Sequence, residues 1–107
     1  MIKMPVNIKI HVSSTPCDMR KQFGGLEILV REGMQRDPRS GDMYVFHNRR
    51  KDLMKVLFYD GQGFCLLCKR MDEGTFKFTP SADGVFRITS MEFSQLMRGF
   101  EISKSPA

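Results

Sequence analysis

The 107-residue chain carries 17 Lys and Arg against 12 Asp and Glu, a net charge of +5, with 41% hydrophobic residues and nine Phe. That length holds one hydrophobic core, and that composition is too apolar for a disordered chain. No apolar run reaches the roughly 18 residues of a membrane span, and no signal peptide opens Met1-Ile2-Lys3-Met4-Pro5. Three Cys, an odd number, fit reduced thiols better than a disulfide framework, so one cytoplasmic domain over residues 1–107 is expected.

Asn7 to Val12 alternates Ile8, Ile10 and Val12 with Asn7, Lys9 and His11, the period-two pattern of a half-buried strand. Thr15 then offers a cap hydroxyl, Pro16 a first helical position and Asp18 a carboxylate three residues on, which predicts a helix start. Met19, Phe23, Leu26 and Val30 follow at helical spacing, with Leu29 widening the stripe and Gly33 placed to stop it. Gly24-Gly25 weakens the middle of that helix, which suggests close packing on a sheet, a kink or an early stop.

Gln35 to Asp42 reads as a polar loop. Short apolar or alternating runs then follow at 43–47, 53–59, 64–71, 75–78 and 85–88, punctuated by Asp60-Gly61-Gln62-Gly63, Asp72-Glu73-Gly74 and Ala82-Asp83-Gly84. Successive hairpins predict an antiparallel meander of five or six strands. Thr89-Ser90-Met91-Glu92 is a second capping box before Phe93, Leu96, Met97 and Phe100, predicting a short final helix ended by Gly99 and a frayed tail at 103–107. The expected class is α+β, a meander packed with one helix near each terminus.

Between His47 and Arg70 six basic residues face only Asp52 and Asp60, so most of the excess charge is local. A symmetric hairpin closed at 60–63 pairs Tyr59 with Phe64, Leu57 with Leu66, Lys55 with Cys68 and Leu53 with Arg70. One face then interleaves Lys55 and Arg70 with Tyr59, Phe64 and Leu66, rimmed by Arg49, Arg50 and Lys51. The other carries Met54, Val56, Phe58, Cys65, Leu67 and Lys69 and suits the core. The first face has the make-up of a surface that neutralises phosphates and stacks on bases, or else of a second buried layer with a charged rim. A one-residue change of register would exchange the two faces.

Cys65 and Cys68 have the spacing of a metal or redox pair, but positions three apart on a strand point to opposite faces, which argues against chelation. His11 and His47 sit in no nucleophile or metal motif, and Asp18, Asp52 and Asp60 each have a local structural role. Neither a catalytic constellation, a metal site nor a cofactor is therefore expected.

Taken in order, Asp18-Met19-Arg20-Lys21 with Gly25-Leu26, Arg49-Arg50-Lys51-Asp52 with Lys55-Val56-Leu57, Asp60-Gly61-Gln62-Gly63-Phe64-Cys65-Leu66, Lys69-Arg70-Met71 and Ala82-Asp83-Gly84 resemble one family. It is the small accessory protein, TnpB or Orf2-like, of the bacterial insertion-sequence family numbered sixty-six. The likeness runs from about Val6 to Phe100. Tyr59 and Phe78 stand where that family usually has tryptophan.

The resemblance implies a protein encoded beside a separate transposase and needed for efficient transposition, with no established site residues to carry over. The site expectation therefore rests on charge and face. Arg20, Lys21, Arg49, Arg50, Lys51, Lys55, Lys69 and Arg70 are the candidate DNA contacts. The alternative is docking on the transposase through Tyr59, Phe64 and Leu66.

Overall fold

The computed structural model describes residues 8–79 and 84–102. Five strands form one sheet: β1 (Ile10–Ser13), β2 (Met43–His47), β3 (Leu53–Tyr59), β4 (Phe64–Arg70) and β5 (Val85–Ile88), in the spatial order β4-β3-β2-β1-β5. Helix α1 (Phe23–Ile28) runs on as a π-helical turn over Leu29–Gly33 between β1 and β2, and α2 (Ser90–Met97) follows β5.

The class is α+β, but the sheet is mixed and not the antiparallel meander expected from the turn signals. β1 and β2 run parallel, with Ile10 opposite Met43 and Val12 opposite Val45, because the chain returns through α1 and not through a hairpin. β5 pairs antiparallel with β1, not with its predecessor in sequence. The run at 75–78 forms no strand. Its Phe76 and Phe78 drop into the core, and only a bridge from Phe78 to Ile102 remains of its pairing.

The first helix begins later than its capping signal suggested. Ser13 Oγ donates to the Thr15 carbonyl, and the Asp18 carboxylate takes the Arg20 amide at 2.9 Å, so Thr15 and Asp18 stabilise turns. Helical hydrogen bonding starts after Gln22, which puts Gly24 and Gly25 in the first turn. A Cβ on Gly25 would come within 3.2 Å of the Lys21 side chain, so the close approach there is to the incoming loop. The i to i+5 bond from Met34 N–H to the Leu29 carbonyl (3.0 Å) then widens the helix at its end.

α2 has the capping box its sequence announces: Glu92 N–H donates to Thr89 Oγ1 and Thr89 N–H to Glu92 Oε1. Gly99 follows at φ 86°, the left-handed geometry that ends a helix.

Both faces of the sheet are covered over β1 to β3. On one, Ile10, Val12, Met43, Val45, Met54, Val56, Phe86 and Ile88 pack against Phe93 and Leu96 of α2 and against Phe76 and Phe78. On the other, Tyr44, Phe46 and Leu57 pack against Leu26, Val30 and Met34 from α1 and its extension. The expected strand start at Asn7, the 82–83 part of the last turn and the tail at 103–107 lie outside the described residues.

Candidate nucleic-acid interface

The β3–β4 hairpin has the register read from its sequence: Tyr59 faces Phe64, Leu57 Leu66, Lys55 Cys68 and Leu53 Arg70. Asp60 Oδ1 accepts the amides of Gln62 and Gly63 at 2.9 and 3.0 Å, and Gly61 takes φ 100°. These two N–H groups hold the Asp60 carboxyl below the usual carboxylate range.

The face expected to bind phosphates is in large part the second buried layer. Leu57 is fully buried, and Lys55, 4% exposed, sends its ammonium not to solvent but to the Lys21 carbonyl at 2.8 Å. Lys55 thus ties the loop before α1 to the sheet and has no free charge to offer a phosphate, a correction to its expected role. Leu66 and Phe64 are half-buried against the same layer.

Two more of the candidate cations are used internally. Lys69 donates to the Met97 carbonyl at the C-terminal end of α2, where a cation complements the helix dipole. Lys51, at φ 59°, donates to the Phe78 carbonyl at 3.2 Å and lies 4.7 Å from the Phe78 ring centroid.

The remaining five are exposed, and three of them sit at one end of the sheet, where β2 ends and β3 begins. Arg49 and Arg50 are on the β2–β3 turn and Arg70 closes β4. Asp52, the acid nearest this group, is held ionised first by the Asn48 side chain and then by Arg50 and Arg70; its contact to Arg50 is long, 3.9 Å. The loop carrying Arg20 and Lys21 joins the same end through Cys17 N–H to the His47 carbonyl at 2.9 Å. Arg20 is paired there with Asp18 at 2.8 Å, which brings the Asp18 carboxyl down to about 2, yet its side chain stays 91% exposed.

The aromatic pair lies at the opposite end. From Arg70 to Phe64 the strand advances about 20 Å, so one ligand group cannot touch both. Tyr59 and Phe64 meet edge to face at 5.1 Å, and the guanidinium of Arg39 lies 5.7 and 5.8 Å from their centroids. Arg39 lies on the polar 35–42 loop, where no pattern in the sequence tells which way the chain folds.

The two histidines are structural. Each ring nitrogen of His47 faces a carbonyl, Asn48 at 3.0 Å and Ser13 at 2.9 Å. His11 is buried, stacks on Tyr44 and bonds Asp42 at 2.9 Å. Burial pushes the His11 pKa below its usual 6.5, reinforced by Arg36 and Arg87 and opposed by Asp42. The unfolded chain therefore binds more protons near that value, and the stability tied to neutral His11 is whole above it and lost as pH falls through it. A urea midpoint that drops from pH ~7.5 to ~5.5 in the wild type, and drops less in His11→Gln, is the expected result.

Cys65 and Cys68 stand opposite Phe58 and Lys55, on alternate faces of β4. Among the described residues no three His, Cys, Asp or Glu side chains are grouped to hold a metal, and no helix is long and apolar enough to cross a membrane.

This sheet, with its basic turn and its hairpin, coincides with a family whose model, described as IS66 Orf2 like protein, matches residues 8–107. The chain belongs to the IS66 Orf2-like family. Two Sinorhizobium fredii (strain NBRC 101917 / NGR234) proteins are similar to it over 101 residues, or 94% of its length. The one named y4jC is 35% identical with 86% of its own chain covered, and y4hO is 33% identical with 88% covered; both are described as uncharacterized. No solved structure matches this chain. The IS66 Orf2-like assignment associates the protein with transposition of an insertion sequence.

Proposed function

We propose that this IS66 Orf2-like protein is a non-enzymatic accessory factor that acts in the cytoplasm, binding DNA phosphates through the basic end of its sheet while the transposition complex assembles. The observation that carries this reading is the cluster of Arg49, Arg50 and Arg70, exposed at one strand end around Asp52, a carboxylate that the Asn48 side chain already holds. Arg20 and Lys21 extend it along the loop below. Guanidinium groups suit the task because their planar fork meets two phosphate oxygens at once. Nothing in this arrangement reads a base edge, so the binding expected is tolerant of sequence.

Docking on the transposase through Tyr59, Phe64 and Leu66 is the weaker reading. Arg39 already covers the two rings, and Leu66 packs on the inner layer. Titration of element-end duplex, unrelated duplex and single-stranded DNA across a salt series tests the proposal. Binding that weakens linearly in log–log form with salt is expected. An absence of binding at low salt, with a transposase complex that survives nuclease treatment, would replace DNA by the transposase as the partner.

A further inference from the structure

Strand β4 is an outer strand of the sheet, seven residues long, and among the described residues nothing pairs with its free side. It lacks proline and any bulge in its register with β3, and its centre, Leu67, is 45% exposed. Long outer strands of this kind invite pairing with another chain. β5, at the other margin, has four residues and carries Arg87.

Which backbone groups of β4 are free follows from its ladder. Asp60 N–H bonds the Gly63 carbonyl at 3.1 Å and Met71 N–H the Asp52 carbonyl at 2.7 Å, so those are hydrogen-bonded pairs at either end. Alternation between them turns the N–H and C=O of Cys65, Leu67 and Lys69 toward β3, and those of Phe64, Leu66, Cys68 and Arg70 outward. The four outward residues are symmetric about Leu67.

We infer that two copies of this chain pair antiparallel through β4 about a two-fold axis at Leu67, giving a continuous ten-stranded sheet. In that register Leu66 bonds Cys68 of the second copy and Phe64 bonds Arg70, so all four outward residues of each strand are used. A centre moved to Leu66 or Cys68 leaves one of them opposite a turn. Charge selects the same arrangement. A parallel, in-register pairing sets Lys69 on Lys69 and Arg70 on Arg70, whereas the two-fold at Leu67 sets Lys69 opposite Cys65 and Arg70 opposite Phe64, so that no β4 cation faces another β4 cation. Leu67 meets its own copy, as a closed symmetric interface requires.

Sedimentation equilibrium of the full chain across the micromolar range gives the mass, and two variants test the register. Leu67→Cys, in a chain whose Cys17, Cys65 and Cys68 are serine, is expected to form a disulfide-linked dimer under mild oxidation. A chain with native Leu67 that keeps Cys65 as its one cysteine, Cys17 and Cys68 being serine, is expected to stay uncrosslinked, since that thiol faces Lys69 of the other copy. Leu67→Lys brings two ammonium groups together at the axis and is expected to weaken self-association by roughly tenfold or more. Because Leu67 is half exposed, the fold should keep its circular dichroism, and its urea midpoint should match that of the wild type at concentrations low enough for both to be single copies. A one-copy mass at every concentration, or a dimer that Leu67→Lys leaves intact, overturns the proposal.

Discussion

Leu57→Ala is expected to destabilise the protein by about 2–5 kcal/mol, read as a lower urea midpoint at unchanged slope. Leu57 lies on the hairpin face that its neighbours Lys55 and Arg70 mark as a possible outer surface, yet it is fully buried beneath α1 with Leu26, Val30, Tyr44 and Phe46. Truncation there loses the transfer energy of the deleted carbons and leaves a cavity that a helix and a strand can only partly close. Ile28→Ala provides the comparison. Ile28 sits on the same helix but is 51% exposed, and its loss should stay within about 0.5 kcal/mol. Equal, small effects at both positions would mean that α1 does not cover this face.

That buried second layer was written in the sequence in a form easily misread. Leu53 to Tyr59 is apolar at every position but one, and a strand apolar on both sides is a strand covered on both sides. The single exception, Lys55, gave the face a polar look, but its long stem reaches through the layer to the Lys21 carbonyl. Local signals whose cause is local were legible. The Asp60 turn fixed the hairpin register and Thr89-Glu92 fixed the start of α2.

Signals that depend on distant partners were not. Nothing in Ile10-His11-Val12 states that its neighbours will be Met43-Tyr44-Val45 in parallel and Phe86-Arg87-Ile88 in antiparallel array. Thr15-Pro16 looks like a helix start because its chemistry serves turns equally well, and the choice was made by Cys17 bonding the His47 carbonyl. For the site, charge in the sequence located the basic segment but could not tell free cations from used ones. Arg49, Arg50 and Arg70 are exposed, with one long contact from Arg50 to Asp52, whereas Lys51, Lys55 and Lys69 each hold a backbone carbonyl.

That division sets up the second large effect. Arg49→Ala/Arg50→Ala/Arg70→Ala is expected to reduce the slope of log affinity for duplex DNA against log salt by roughly 2.7, the contribution of three phosphate contacts. Over a fourfold rise in salt the wild type would then lose about 40-fold more affinity than the variant, and the gap in affinity between them is widest at low salt. Each of the three side chains is exposed, and the Arg50–Asp52 pair is long and open to water, so the fold itself should lose little. Lys55→Ala is the informative opposite. It strips the Lys21 carbonyl of a charged donor and should cost about 1–3 kcal/mol in stability while leaving the salt slope of the folded protein unchanged. If the triple variant keeps the wild-type slope, or if Lys55→Ala lowers it as much, the phosphates lie elsewhere and the basic end is only a hydrated rim.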